Sequence, residues 1–253
     1  MIAIRRARRA AHHRWVACLA VLGAILLAPA ALRAQQKTFY LDRLTIGGAP
    51  EDGIGIWRPI ASSQPRVFAQ MALGFSLNPL RMRTIAVNES RLRNSPYAAV
   101  STQLIDYMSV GIDGGERAAF VLNLPVALYE SGSDATPVGV RGVGDLSATS
   151  GHDLRMDFRG VFYRSDDRKS AIGGGLSVYL PTGDSYTFAG DGATHTALVL
   201  TGETQVRTVT VTANTGIHWR PTGVVGNLAV GNEWTFAVGA FYPLREGKVR
   251  LGG

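Results

Sequence analysis

The feature that most constrains this chain is a period-two alternation of apolar and polar residues, which recurs from residue 66 to the end. No segment after residue 34 sustains the apolar repeat of an amphipathic helix, and clusters of Gly, Pro, Asn and Asp separate the alternating segments. The chain is therefore predicted to be all-β and antiparallel. The pattern predicts strands over approximately 66–77, 80–87, 98–112, 116–128, 144–163, 170–181, 194–206, 208–220, 228–242 and from 248 onward.

The lengths of these strands and of their connections narrow the prediction. Many strands exceed the five or six residues typical of soluble sheets, and they match the roughly 9–11 residues of a tilted membrane-crossing strand. Connections alternate between short and long, as in a transmembrane barrel whose periplasmic turns are tight. The short ones are predicted at Asn78–Pro79, Gly114–Gly115, Ser165–Arg168, near Arg207 and at Arg245–Lys248, and the long ones at 88–97, 129–143, 182–193 and 221–227. With a periplasmic N-terminus, this order requires a further strand before residue 66, for which Gly53–Arg58 is the candidate.

Charged residues are placed on one side of the predicted strand 153–163. Asp153, Arg155, Asp157 and Arg159 alternate with Leu154, Met156, Phe158, Gly160 and Phe162. In a soluble sandwich the charged side faces water, whereas in a membrane barrel it lines the lumen. His218 and Glu233, on consecutive strands, are predicted as a further inward pair. The candidate lumen-lining residues are Asp153, Arg155, Asp157, Arg159, His218 and Glu233.

Aromatic residues near strand ends favour the membrane barrel, because interfacial girdles lie there. They include Tyr107, Tyr129, Phe162, Tyr163, Tyr179, Trp219, Trp234, Phe241 and Tyr242.

Residues 1–34 differ from the rest of the chain. They contain six of the 26 Lys and Arg residues and no acidic residue, so the remaining 219 residues carry 20 basic against 19 acidic. An Arg-rich start, an apolar stretch from Trp15 to Leu32 and closing small residues are typical of a secretory signal peptide cleaved after Ala30 or Ala34. An uncleaved anchor is the alternative. The near-neutral body gives no reason to expect a nucleic-acid partner.

Motifs for catalysis or cofactor binding are absent from the sequence. The only cysteine, Cys18, lies in the leader, which excludes disulfides, Cys-based metal sites and a thiol nucleophile beyond it. Asp184 and Asp191 lack the dense oxygen ligands that calcium requires. Asp153, His195 and Ser185 could be combined as a hydrolase, but their spacing does not support it. We therefore predict no enzyme, no cofactor and no metal site.

Several segments resemble a known family. Thr38–Leu44, Ala72–Arg81, Tyr163–Lys169 and Gly247–Gly253 are similar to the N-terminal barrel of myxobacterial-type OmpA-family proteins. The strand exit at Gly173–Asp184 and the segment Gly142–Leu146 resemble phenol-degradation meta-pathway transporter barrels. The resemblance implies an outer-membrane barrel, which in the OmpA family precedes a periplasmic peptidoglycan-binding domain that this sequence does not contain.

Together these observations predict a signal peptide at 1–34, an N-terminal segment at 35–65 with a possible first strand, and an antiparallel transmembrane β-barrel at 66–253. The barrel is expected to have about 12 strands when complete and to be truncated, because Leu251–Gly253 offers no terminal aromatic. The expected location is the outer membrane of a Gram-negative bacterium, with membrane lipid as the partner. A passive channel or transporter and an envelope anchor remain open as functions, and oligomeric state is open. The alternatives are a secreted soluble β-sandwich binding module and an outer-membrane hydrolase.

Overall fold

We analysed a computed structural model of the chain, which describes residues 39–59, 64–86, 93–132, 149–185, 188–225, 228–244 and 249–252. The chain divides into residues 1–35 and residues 36–253, and every described residue belongs to the second unit. Within the described ranges, no helix is long and apolar enough to cross a membrane. The prediction of an all-β, antiparallel chain is confirmed.

The described residues form one large sheet and one small hairpin. Neighbouring strands of the large sheet follow the order β1-β2-β3-β5-β6-β7-β8-β11-β12, with β4 paired to β3, and the sheet curls into a half-barrel. The hairpin consists of β9 and β10. The strands are β1 (Arg66–Ala86), β2 (Arg93–Asp113), β3 (Ala118–Ser131), β4 (Ser150–Gly151), β5 (Leu154–Arg164), β6 (Ser170–Leu180), β7 (His195–Val206), β8 (Val209–Trp219), β9 (Gly223–Val225), β10 (Leu228–Val230), β11 (Glu233–Leu244) and β12 (Val249–Gly252).

The predicted turn at Asn78–Pro79 is wrong, because β1 continues through it. Leu77 is opposite Thr102 and Leu80 is opposite Val100, so the two residues between them form an irregularity within one strand of 21 residues. Asn78 has a φ of 51°, and Pro79 has no N–H to give to the ladder. Such a residue pair is accommodated as a bulge, which bends the strand without ending it.

This correction removes the need for an additional strand before residue 66. Arg66 lies opposite Asp113, beside the short β2–β3 turn, so β1 already begins at the end of the sheet where the short turns lie. The candidate strand Gly53–Arg58 instead forms a tight reversal, in which Gly53 bridges to Ile56.

Short and long connections alternate from β5 to β11, and the β2–β3 connection is also short. The connections at 114–117, 165–169 and 207–208 are short, and those at 181–194 and 220–232 are long, the last containing the hairpin. The predicted strand 144–163 is interrupted at His152 and Asp153, and the predicted strand 228–242 is divided into β10 and β11. Residues 87–92, 133–148 and 245–248, which include parts of three predicted connections, lie outside the described residues.

The two faces of the large sheet differ in polarity. On β5, Asp157 is fully buried, whereas the next residue, Phe158, is 49% exposed. The same alternation on β3 buries Asn123 and exposes Leu122 and Leu124. We call the exposed apolar side the outer face and the side with buried polar residues the inner face.

Residues 39–59, which we call the inner segment, cover the inner face. The long connections 181–194 and 220–232 lie at one end of the sheet, which we call the long-connection end, and the short turns lie at the other, the short-turn end. At the long-connection end, the amide of Leu41 donates to the carbonyl of Phe188. At the short-turn end, Arg58 pairs with Glu203 on β7. Small apolar cores form between the segment and the sheet, one with Ile46, Ile105 and Tyr107 and another with Ala49, Phe68 and Val121.

Gly48 shows how closely the inner segment approaches the sheet. Its φ of 84° favours glycine, and a Cβ placed there would lie 2.3 Å from Oδ1 of Asn123 on β3. The close contact therefore depends on the absence of a side chain at this position.

Candidate functional site

The centre of the inner face is organised around Asp157. Its carboxylate accepts hydrogen bonds from Nδ2 of Asn123 at 2.9 Å, Oγ of Ser177 at 2.7 Å and Nε of Arg155 at 3.2 Å. Nη2 of Arg159 lies 3.6 Å away. A buried carboxylate is costly unless it is paired and hydrogen-bonded, and here four neighbouring side chains meet that requirement.

The two arginines beside Asp157 also bind the inner segment. Arg155 donates to the carbonyl of Ile46, and Arg159 donates to the carbonyl of Gly47. Nη1 of Arg159 lies 2.5 Å from Oδ2 of Asp52, and its guanidinium lies 4.1 Å from the centre of the Trp57 ring. The inner segment therefore supplies further partners for both arginines beside Asp157.

A second group of ion pairs fixes the inner segment at the short-turn end. Arg58 makes a bidentate pair with Glu203, with Nε at 2.5 Å and Nη2 at 2.8 Å from the two carboxylate oxygens. Thr201, also on β7, donates its hydroxyl to the carbonyl of Trp57 at 2.9 Å. Arg66 at the start of β1 bridges Glu51 and Asp113.

The long-connection end holds the start of the inner segment. The amide of Tyr40 donates to Oδ1 of Asp191 at 2.7 Å, and Arg220 pairs with the same carboxylate. Arg220 also donates to the carbonyl of Tyr40 at 3.3 Å. Arg43 of the inner segment lies 2.8 Å from Glu233. This end therefore binds the inner segment through both its backbone and its side chains.

A hydrogen-bonded group of tyrosines lies next to these ion pairs. The hydroxyl of Tyr107 donates to Asp42 at 2.6 Å, and that of Tyr40 donates to the same oxygen at 3.2 Å. Burial raises the pKa of Asp42, although both hydroxyls oppose this shift, and burial raises the pKa of Tyr40 well above its usual value. A cavity of about 120 Å³ lies beside them.

The three described histidines gather at the same end of the sheet, although the sequence gives them no common motif. Tyr179 stacks against His195 and His218, with ring centres 4.4 and 4.9 Å away. His152 contacts Tyr40 edge to face, and burial lowers its pKa to about 4. Asp153, Asp191 and His195 come together as a buried group.

The sequence-predicted lumen residues lie on the inner face or beside it. Arg155, Asp157 and Arg159 have the contacts given above, and Asp153 accepts hydrogen bonds from the amides of Gly183 and Asp191. His218 lies directly opposite Glu233 in the register. The carboxylate of Glu233 contacts Arg43 and Arg220, however, while the ring of His218 contacts Tyr179 and His195. Ser185, the third member of the hydrolase alternative, lies in the connection 181–194 that also contains Asp191.

Sequence reasoning missed the partners that the inner segment supplies, because this segment has no period-two pattern. A signal for them is present in the charges themselves: five charged residues lie among apolar residues and glycines between 39 and 59, a composition unusual for a solvated linker. They are Asp42, Arg43, Glu51, Asp52 and Arg58.

Comparison with family models, with curated proteins and with solved structures gives no match to this chain. The function must therefore be argued from the geometry of the sheet and of the inner segment.

Proposed function

We propose that this chain is an outer-membrane β-barrel protein whose interior is occupied by its own residues 39–59, and that it serves as an envelope anchor instead of an open passive channel. The observation that carries the proposal is the polarity of the sheet: its exposed face is apolar and its buried face is polar and charged.

The outer face is the first support for a membrane location. It exposes large apolar side chains from neighbouring strands across the sheet. Monomeric soluble proteins rarely expose contiguous apolar patches larger than a few hundred Å². In a bilayer the same side chains would contact hydrocarbon, as the outward residues of membrane barrels do. The exposed set includes Val67, Met71, Leu73, Phe75, Val110, Leu124, Phe158, Phe162, Leu198, Leu200, Ile217, Trp234, Phe236 and Val238.

The inner face argues against the soluble β-sandwich. In a sandwich the apolar faces of two sheets pack together into a core, and polar residues point outward. Here the side facing the interior carries Asp157, Arg155 and Glu203, which are paired with neighbours or with the inner segment. Within the described part of the chain the second sheet is the two-stranded hairpin β9–β10, and the apolar face of the large sheet keeps the exposed side chains given above.

The inner segment distinguishes the anchor from the channel. A passive channel needs a lumen lined by hydrated polar groups, whereas the inner segment takes up hydrogen-bonding groups of the inner face from one end of the sheet to the other. Anchoring fits the resemblance of four turn and strand-exit segments to the barrels of OmpA-family proteins. The Arg-rich start of the chain supports export from the cytoplasm.

The proposal is tested by expressing the full-length gene product in a Gram-negative host and fractionating the cells. We expect the protein in the outer membrane, with heat-modifiable migration in gels and a requirement for detergent during purification. A monodisperse periplasmic species without detergent would contradict the membrane location. Rapid solute entry into proteoliposomes would contradict the filled interior while leaving the membrane location intact.

A further inference from the structure

Three buried side chains of types that bind metal ions lie together at the long-connection end, and the contact of Asp191 with the inner segment explains only part of this arrangement. Asp153 precedes β5, Asp191 lies in the β6–β7 connection, and His195 begins β7. One potential ligand atom from each lies within 4.8 Å of the other two. All three residues are more than nine-tenths buried.

The orientation of His195 defines which of its nitrogen atoms is available. Nδ1 lies 3.1 Å from the carbonyl of Ala193, which accepts a hydrogen bond and thus requires the proton on Nδ1. In a neutral ring with its proton on Nδ1, Nε2 carries a lone pair that can bind a cation. A backbone carbonyl that fixes the tautomer in this way is a common feature of metal-bound histidines.

Two buried polar atoms without a hydrogen-bond partner face each other in this group. Nε2 of His195 lies 3.5 Å from Oδ2 of Asp191, and neither atom has a hydrogen-bond partner in the described part of the structure. Their side chains are each 1% exposed, so bulk water does not reach either atom. A lone pair beside a carboxylate oxygen is unfavourable unless a proton or a metal ion lies between them, and 3.5 Å exceeds the roughly 2.7–3.2 Å of a well-formed N–H···O hydrogen bond.

The remaining atoms of the two carboxylates are already positioned. Asp153 accepts hydrogen bonds from the amides of Gly183 at 2.9 Å and Asp191 at 3.0 Å, and Arg220 binds Oδ1 of Asp191. These contacts hold both carboxylates without using Oδ2 of Asp191. Among these contacts, the two carboxylates face a single guanidinium group, that of Arg220, and this imbalance favours an additional positive charge.

We propose that Asp153, Asp191 and His195 bind a divalent first-row transition metal ion such as Zn²⁺. One imidazole and two carboxylates match the ligand types of zinc, whereas calcium takes six to eight oxygen ligands, roughly twice what this group offers. The ion would connect the β6–β7 connection to β5 and β7. Because Asp191 also accepts a hydrogen bond from the amide of Tyr40, the bound ion would fix the start of the inner segment through Asp191.

The test uses the full chain purified in detergent and stripped with a chelator. Titration calorimetry with Zn²⁺ and absorption spectroscopy with Co²⁺ are expected to show one bound ion per chain. His195→Gln and Asp191→Asn are each expected to weaken binding by at least about tenfold. Asp184→Asn changes an exposed carboxylate in the same connection and is the matched control, with unchanged affinity expected.

The wild-type protein keeps the test decisive if a variant fails to fold. X-ray absorption at the zinc edge should show imidazole and carboxylate ligands together, and an all-oxygen shell would overturn the proposal. Absence of uptake by the folded protein would overturn it, as would uptake that His195→Gln leaves unchanged. None of these results depends on whether the protein lies in a membrane, so failure here is distinct from failure of the anchor proposal.

Discussion

The outer and inner faces of the large sheet are built from adjacent residues of the same strands, yet they have opposite requirements. On β7, Leu200 is 51% exposed on the outer face, while Thr201 is 3% exposed on the inner face and donates to the inner segment. Large apolar side chains of the outer face, such as Phe158 and Phe236, are 49% and 85% exposed. The inner residues are held by specific hydrogen bonds and ion pairs.

The difference shows that burial and apolarity are uncoupled in this chain. In a water-soluble sheet the apolar face is buried because water is outside, and the proposed membrane location accounts for the opposite arrangement here. The inner face must then satisfy its polar groups within the protein, since unpaired buried charges are costly. The inner segment supplies those partners, and it explains why residues outside the strand pattern are charged.

The largest expected effect comes from removing the carboxylate at the centre of the inner face. Asp157→Leu leaves Arg155 and Arg159 without their shared partner, and breaking a buried pair costs about 3–5 kcal/mol. Phe158→Leu, on the outer face of the same strand, is the control and should cost less than about 1.5 kcal/mol. Unfolding by denaturant in detergent micelles measures both. Equal losses for the two variants would contradict the distinction between the faces.

A charge placed on the outer face should lower the free energy of unfolding by an amount that depends on its depth in the bilayer. Leu200→Arg lies in the middle of β7 and is expected to cost about 2–4 kcal/mol in lipid, whereas Val206→Arg, on the same face near the turn, should cost about 0–1 kcal/mol. Reversible folding into lipid vesicles measures the difference. If the outer face contacts water instead, both variants will be nearly neutral, since exposed substitutions change stability by about 0.5 kcal/mol or less.

Loss of the ion pair at the short-turn end should loosen the inner segment. Arg58→Ala removes the two hydrogen bonds to Glu203, and charged hydrogen bonds contribute about 1.5–3 kcal/mol. We expect increased conductance across planar bilayers, because one end of the inner segment is released. Lys169→Ala, in an exposed turn at the same end, is the control. A conductance identical to that of the wild type would show that the pair does not hold the interior closed.

The smallest effect concerns the pH dependence of Asp42. Burial raises the pKa of this carboxyl above 3.8, so the folded state binds more protons than the unfolded state between 3.8 and the raised value. Wild-type stability should therefore fall as pH rises through that window. Asp42→Asn has no such titration and should become more stable relative to the wild type over the same interval. Parallel melting-temperature curves for the two proteins would contradict the raised pKa.

The strand pattern of the sequence predicted the sheet well where alternation is strict, as in β8, which was predicted over 208–220 and extends over Val209–Trp219. It failed at Asn78–Pro79, because a dipeptide typical of turns is also compatible with a bulge when the flanking strand continues. The pairing that carries β1 past Pro79 is made by β2, which no local pattern records.

The candidate site was predictable only in part. Charges two residues apart on β5 identified Arg155, Asp157 and Arg159 as a group, since the strand period places them on one face. The approach of Asp191 to His195 depends on the path of the β6–β7 connection, and that of Asp52 to Arg159 depends on the inner segment. Asp191 and His195 are four residues apart at the end of a connection without a period-two pattern, and Asp52 and Arg159 are 107 residues apart, so neither approach follows from strand alternation.

The most direct test of the account is the fluorescence of two tryptophans in the protein folded into vesicles. Trp234 is 78% exposed on the outer face, and Trp57 of the inner segment is 4% exposed. In variants that retain only one of them, with phenylalanine at the other tryptophan positions, lipids brominated in their acyl chains should quench Trp234 strongly and leave Trp57 nearly unchanged. Quenching of Trp234 by aqueous acrylamide, with no quenching by the brominated lipids, would contradict the assignment of the outer face to the membrane.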